Sequence, residues 1–141
     1  MADRGQHVYE CIRPALNEGK VVLCDRYIDS TLAYQGYGSG QDIEVLRQLN
    51  TIATAALMPD LTLLFDLPPA EAGMRRFGAG LQNDRFERED LSFHERVRAG
   101  YLALAQAEPA RFVIIDAARA REAVFDDVRR IAFARLGAAH V

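Results

Sequence analysis

A chain of 141 residues, half of them hydrophobic, suffices for one domain that buries about two-thirds of its unfolded surface. Its net charge of -3 is small and of the wrong sign for non-specific attraction to nucleic acid or an anionic membrane, so any anionic partner must be held locally. No stretch approaches the roughly 20 apolar residues of a membrane span. The opening Met-Ala-Asp-Arg-Gly-Gln-His has no apolar signal core either, which points to the cytoplasm.

Val8, Cys11, Ile12, Ala15 and Leu16 recur at intervals of three and four, predicting an amphipathic helix over about residues 5 to 18. Gly19 suits its end, and Pro14 should bend or interrupt its last turns. Val21-Val22-Leu23-Cys24 reads as a strand. Asp42 can cap a second helix, running to Leu57, whose Leu46, Leu49, Ala53, Ala56 and Leu57 form one apolar face. Leu61-Thr62-Leu63-Leu64-Phe65 is a near-continuous apolar run, as expected of a strand covered on both faces, and Asp66-Leu67-Pro68-Pro69 ends it and opens another helix.

From Arg75 to Glu89 the sequence turns polar and arginine-rich, with Gly78 and Gly80 inside, and reads as a loop or short lid. A helix beginning near Leu91 carries the stripe Phe93, Val97, Tyr101 and Leu104. Phe112-Val113-Ile114-Ile115 is a third buried strand ending at Asp116, and Val124, Val128, Ile131 and Ala132 form a final helical face. Alternating strands and helices predict one domain with a parallel doubly wound sheet.

Cys11 and Cys24 lie in apolar contexts without metal-ligand spacing, so buried thiols in a reducing compartment are expected. His7, His94 and His140 are too dispersed to hold a metal. Gly36, Gly38 and Gly40 follow no strand and do not spell a dinucleotide fingerprint; they suit a turn.

The residues after the first predicted strand carry the most chemistry, because open α/β sheets bind ligands at strand C-terminal ends. Arg26 offers a planar fork of donors for a phosphate, Asp25 can hold a Mg2+-bound water or orient that arginine, and Ser30, Thr31 and Gln35 can hydrogen-bond a base edge. Together they describe a nucleotide-monophosphate pocket. A capped turn uses the same residues differently: Asp25 pairs with Arg26 or caps the following helix, and Tyr27 and Tyr34 pack against it.

The string DRYIDSTLAYQGYGSG resembles the signature of bacterial thymidylate kinases, and the resemblance continues through PDLTLLFDLPPAEAGMRR, NDRFEREDLSFHERVRAGYLALA and VIIDAAR. Several motifs in the family's order cover most of the chain. The resemblance implies a P-loop nucleoside-monophosphate-kinase-like parallel sheet with helices on both faces, which phosphorylates dTMP with ATP and Mg2+. It implies that Arg26 binds the dTMP phosphate and that Asp25 supports the magnesium or phosphoryl site. Thr31 and Gln35 would lie near the thymine edge, Ser30 and Tyr34 beside the sugar, and Arg4 would reach the base from the first helix. Arg76 and Arg85, with Arg75 and Arg88 as neighbours, would be lid arginines brought to the transferring phosphoryl group. A homodimer through the helix from Asp42 to Leu57 is a further implication.

A P-loop, G-x-x-x-x-G-K-[ST], does not occur in these residues. Lys20 is the single lysine; it follows Gly19, but Pro14 stands where glycine is required and Val21 where a hydroxyl is. In the family pattern the P-loop strand and helix, and a second strand, precede the helix with which this sequence starts. Three strands are therefore expected to remain, with unpaired backbone and exposed apolar surface where the first strand would lie between 21 to 24 and 61 to 66. The resulting expectation is a thymidylate kinase-like chain that is inactive alone. A non-catalytic nucleotide-binding or interaction paralogue and one half of a split kinase are the alternatives.

Overall fold

The computed structural model of the chain describes residues 2–77 and 85–139. At its centre β1 (Thr62–Asp66) pairs in parallel with β2 (Phe112–Asp116), in register from Thr62 opposite Phe112 to Asp66 opposite Asp116. Both are apolar runs suited to a covered ladder. Hydrogen bonds from Thr62 N to Arg111 O (2.7 Å) and from Ala117 N to Asp66 O (2.9 Å) continue the pairing at either end. Parallel strands need a long crossover, supplied here through α5 (Pro69–Phe77) and α6 (Arg85–Ala107). Leu32, Leu46, Leu104, Ala105 and Phe112 form the core cluster, with Leu64 packed against it.

The third expected strand does not form: among the described residues the sheet contains β1 and β2 only. Residues 21–24 find no neighbour to bond, and a strand exists only through its ladder. Val21 is 58% and Leu23 94% exposed, and Phe65 and Ile114 on the sheet are also exposed. The two strands expected to be buried on both faces are thus only partly covered by the described residues.

Helical structure spans residues 2 to 17, somewhat earlier than expected, as α1 (Ala2–His7), a π-helical segment (Val8–Ile12) and α2 (Arg13–Asn17). The π segment accommodates Pro14. Proline lacks an N–H and crowds the carbonyl four residues back, and here the preceding turn widens so that Arg13 N–H donates to Val8 O, five residues back. Gly19, at φ 74°, closes the run in a left-handed cap with bonds from Gly19 N to Leu16 O (2.9 Å) and Lys20 N to Ala15 O (3.0 Å). Val8 and Ile12 are the buried positions of this run. Cys11 falls off that stripe and Cys24 lies in the unpaired segment, so both thiols are exposed, contrary to the expected burial.

After α3 (Ile28–Thr31) a second π-helical segment, Leu32–Gly38, packs along α6. Gly36 and Gly38 lie inside it rather than in a turn. A Cβ on Gly38 would come 2.7 Å from a Phe93 ring carbon, and one on Gly100 of α6 would come 2.6 Å from Tyr37. Their lack of a side chain lets the two segments touch. Gly40, at φ 75°, makes the turn alone.

In α4 (Ile43–Thr54), Asp42 caps as expected, accepting from Glu44 N at 2.8 Å and Val45 N at 3.1 Å. The helix stops short of Leu57 because Ala55 and Ala56 both take left-handed backbone, at φ 48° and 59°. Arg13 secures this end by donating to Thr54 O and Ala55 O. The buried positions are Leu46, Asn50 and Thr54, and Leu49 and Ala56 face solvent, so the expected apolar face is rotated.

Residues 75–77 belong to α5 and α6 starts at Arg85 instead of near Leu91, so helix occupies both ends of the stretch read as a loop or lid. Residues 78–84 of that stretch lie outside the described residues. The last helix, α7 (Arg121–Ala139), packs on β2. No helix among the described residues is long and apolar enough to cross a membrane.

Gly100→Ala is expected to destabilise the fold by about 1–3 kcal/mol through overpacking against Tyr37. Gly137→Ala, where nothing stands within 4 Å, should be neutral or stabilising by up to about 1 kcal/mol. Urea denaturation of both variants checks the contrast.

Candidate functional site

The signature residues gather around α3, whose four residues make too short a helix to stand alone and whose first cap, Tyr27, makes no side-chain cap bond. Tethers from elsewhere hold it. Arg4, from α1, donates through Nη1 to Thr31 Oγ1 and to Asn50 Oδ1, both at 2.7 Å, and through Nη2 to Tyr27 O at 3.1 Å. Asn50 Nδ2 in turn donates to Ile28 O at 3.2 Å. Arg111 closes a bidentate pair on Asp29 at 2.7 and 2.9 Å.

Arg26 sits immediately before this helix at φ 65°, a left-handed conformation that a residue with a side chain adopts at a cost and that clusters at functional sites. Its guanidinium lies over the Tyr34 ring, 4.4 Å from the centroid. Nε makes a long bond of 3.4 Å to Ser30 Oγ. The terminal nitrogens of the fork bond to none of the described residues. Ser30 Oγ also shares a 2.7 Å hydrogen bond with Tyr101 Oη from α6, and Tyr34 meets Phe93 and Tyr101 edge-on. Burial pushes the Tyr101 phenol above its usual pKa, against the opposing effect of the Ser30 bond, so it is neutral at physiological pH.

The structure thus joins Arg4 to Thr31, and Arg26 to Ser30 and Tyr34. Asp25 is exposed and makes no hydrogen bond or ion pair with the described residues, and the Gln35 side chain is exposed on the second π segment. The side chains of Arg76, Arg85 and Arg88 lie outside the described residues. Arg75 donates to Ala117 O at 2.8 Å and Ala118 O at 2.7 Å, tying α5 to the loop after β2.

Tyr101, Asn50 and the Asp29–Arg111 pair were not singled out from sequence. Tyr101 was read only as part of an apolar stripe, although a buried phenol needs a hydrogen-bond partner. Asn50 had a signal too, a polar residue one helical turn after Leu46. Arg111 had none, because its partner stands 82 positions away.

At the C-terminal end of β1, Asp66 is occupied by Arg98, which grips both its oxygens at 2.7 and 2.8 Å. The Arg98 hydrogen bonds hold the Asp66 carboxyl below its ordinary pKa. Among the described residues no three His, Cys, Asp or Glu side chains converge as a metal cage.

The thymidylate kinase family model matches residues 1–128. The chain belongs to the thymidylate kinase family. It is 61% identical over 130 residues to the thymidylate kinase of Desulfovibrio desulfuricans, covering 88% of this chain and 60% of that protein. It is 56% identical over 137 residues to that of Nitratidesulfovibrio vulgaris, covering 92% and 63%, and 58% identical over 134 residues to that of Solidesulfovibrio magneticus, covering 91% and 64%. The chain therefore spans about three-fifths of the length of these curated thymidylate kinases. Its parallel two-strand ladder with a helical crossover agrees with the α/β fold of P-loop kinases.

The Asp66–Arg98 pair makes stability pH-dependent with a defined sign. A carboxyl whose folded pKa lies below 3.8 contributes fully above that value and loses the contribution as pH falls through the lower folded value. Asp66→Asn should therefore be less stable than wild type at pH 7, and the gap between their urea midpoints should narrow below pH 3.8. A gap that stays constant or widens would contradict this assignment.

Proposed function

We propose that the residues around α3 form the acceptor site of a thymidylate kinase, holding dTMP for in-line transfer of the γ-phosphoryl group of ATP in the whole protein. One observation carries this reading: Arg26, in strained backbone over Tyr34, presents terminal guanidinium nitrogens that bond to none of the described residues, beside the part-buried Ser30–Tyr101 hydroxyl pair. A planar fork suits phosphate, and preorganised charge suits a reaction governed by positioning. In this reading Arg26 takes the phosphate, Ser30 and Tyr34 lie beside the sugar, and Thr31, Gln35 and Arg4 lie toward the thymine edge.

Mg2+, when bound with ATP, neutralises phosphate charge and orients the reacting groups. Asp25, a single exposed carboxylate, suits an ion that keeps several waters and leans on substrate phosphates rather than one caged by protein. Arg76 and Arg85 are proposed as lid arginines for the transferring group. These 141 residues contain no P-loop, and their one lysine, Lys20, pairs with Glu18. The ATP-phosphate cradle must then come from residues outside this sequence.

Residues 21–24, which have no ladder partner among the described residues and expose Val21 and Leu23, also support a second reading, in which a separate chain supplies a strand and the phosphate loop. A binding-only paralogue would share the acceptor site without turnover. The proposed location is the cytoplasm, with small nucleotides as ligands and no nucleic acid. A homodimer is proposed through α4, whose Val45, Leu49 and Ile52 are 51%, 43% and 77% exposed at helical spacing.

Isothermal titration of the purified 141-residue chain should show dTMP binding that weakens at least about tenfold in Arg26→Ala, and an ATP-coupled assay should show no dTDP formation. Absence of dTMP binding, or turnover by this chain alone, would overturn the corresponding half of the proposal. Sedimentation of the same chain should give a dimer that Ile52→Glu converts to monomer; a monomeric wild type removes the dimer.

A further inference from the structure

Arg111 is the residue before β2, its carbonyl accepts from Thr62 N, and it therefore lies at the N-terminal ends of both strands. Ligands of such sheets collect at the other end. Its guanidinium is nonetheless almost fully committed: Nη1 to Asp29 Oδ2 and Thr62 Oγ1, both at 2.9 Å, Nη2 to Asp29 Oδ1 at 2.7 Å, and Nε to Glu108 Oε2 at 2.7 Å. The Phe112 ring lies beneath it, 4.4 Å from the guanidinium carbon. Burial opposes its charge, but the bonds to Asp29 and Glu108 outweigh that and hold its pKa above the ordinary value.

Asp29 is 4% exposed and immediately precedes Ser30, whose hydroxyl meets both Arg26 and Tyr101. A buried ion pair is a poor source of net stability, since desolvating both charges consumes most of their attraction. What a bidentate, three-partner fork supplies is geometry, fixing one residue of α3 to the start of β1 and to the start of β2.

We infer that Arg111 is a positioning residue for the nucleotide site, setting the register of α3 through Asp29 and thereby the placement of Ser30 and Arg26, without itself touching the nucleotide. This inference rests on the proposed acceptor site only for its consequence in dTMP affinity. The register itself is independent of that reading.

The test replaces the pair by apolar side chains, Asp29→Leu with Arg111→Met, which leaves no orphaned charge; Glu108 keeps Arg47 nearby at 4.0 Å. In the 15N-labelled chain, the double variant should retain a cooperative thermal transition within a few degrees of wild type. Amide exchange at Ser30 and Leu32 should accelerate at least about tenfold, exchange within α4 should not change, and dTMP should bind at least about tenfold more weakly. Arg111→Lys, which keeps the charge but loses the fork, should show the same exchange and affinity changes in smaller degree.

Wild-type exchange at Ser30 and Leu32 in the folded double variant would overturn the inference. A double variant that does not fold would overturn it as well, because the pair would then be a stability element. If wild type does not bind dTMP, the acceptor-site reading fails while the exchange rates still decide the role of Arg111.

Discussion

A helix of four residues forms one turn, too little hydrogen bonding to offset the cost of ordering it. Ile28–Thr31 is such a helix, and the candidate site depends on it. Its position is set from outside by two guanidinium groups: Arg4 on Tyr27 O and Thr31, and Arg111 on Asp29. Asn50 adds a bond to the Ile28 carbonyl and joins the first tether to α4. The signature residues are thus placed by side chains from the first helix, from α4, from α6 and from the edge of β2.

This arrangement makes one part of the interior polar. Asp29, Ser30, Thr31, Asn50 and Thr54 are all buried, and among the described residues no buried side-chain nitrogen or oxygen lacks a partner. Full satisfaction matters because a buried polar group without a partner costs about 1–3 kcal/mol. The sheet contrasts with this. Leu23, Phe65 and Ile114 are large apolar side chains in solvent, and residues 21–24 have no ladder partner among the described residues. The buried polar groups around α3 are satisfied among the described residues, while apolar surface near the strands is open.

Sequence patterns made the regular elements legible. Two apolar runs became β1 and β2, Asp42 capped its helix, and the spacing of Val97 and Leu104 marked the buried stripe of α6. Local patterns failed where distant partners decide. Val21-Val22-Leu23-Cys24 has strand composition, but pairing is not encoded in the run itself. The end of α4 was misplaced because Ala55 and Ala56, good helix formers, adopt left-handed backbone under the hold of Arg13. Arg26, Ser30, Thr31 and Tyr34 were singled out because they stand together in one motif, and Arg4 because its segment matches the family's first helix. Asp29 and Arg111 were not, because their pairing brings together residues 82 positions apart.

The most direct measurement is two-dimensional 15N–1H NMR of the labelled chain during dTMP titration. A site built on α3 requires the saturable shift changes to concentrate at Arg26, Ser30, Thr31, Tyr34 and Tyr101, with Arg4 and Asn50 following through their bonds. No saturable change at those residues, or changes centred on the exposed face of α4, would contradict the claim that α3 is the floor of a nucleotide-monophosphate site.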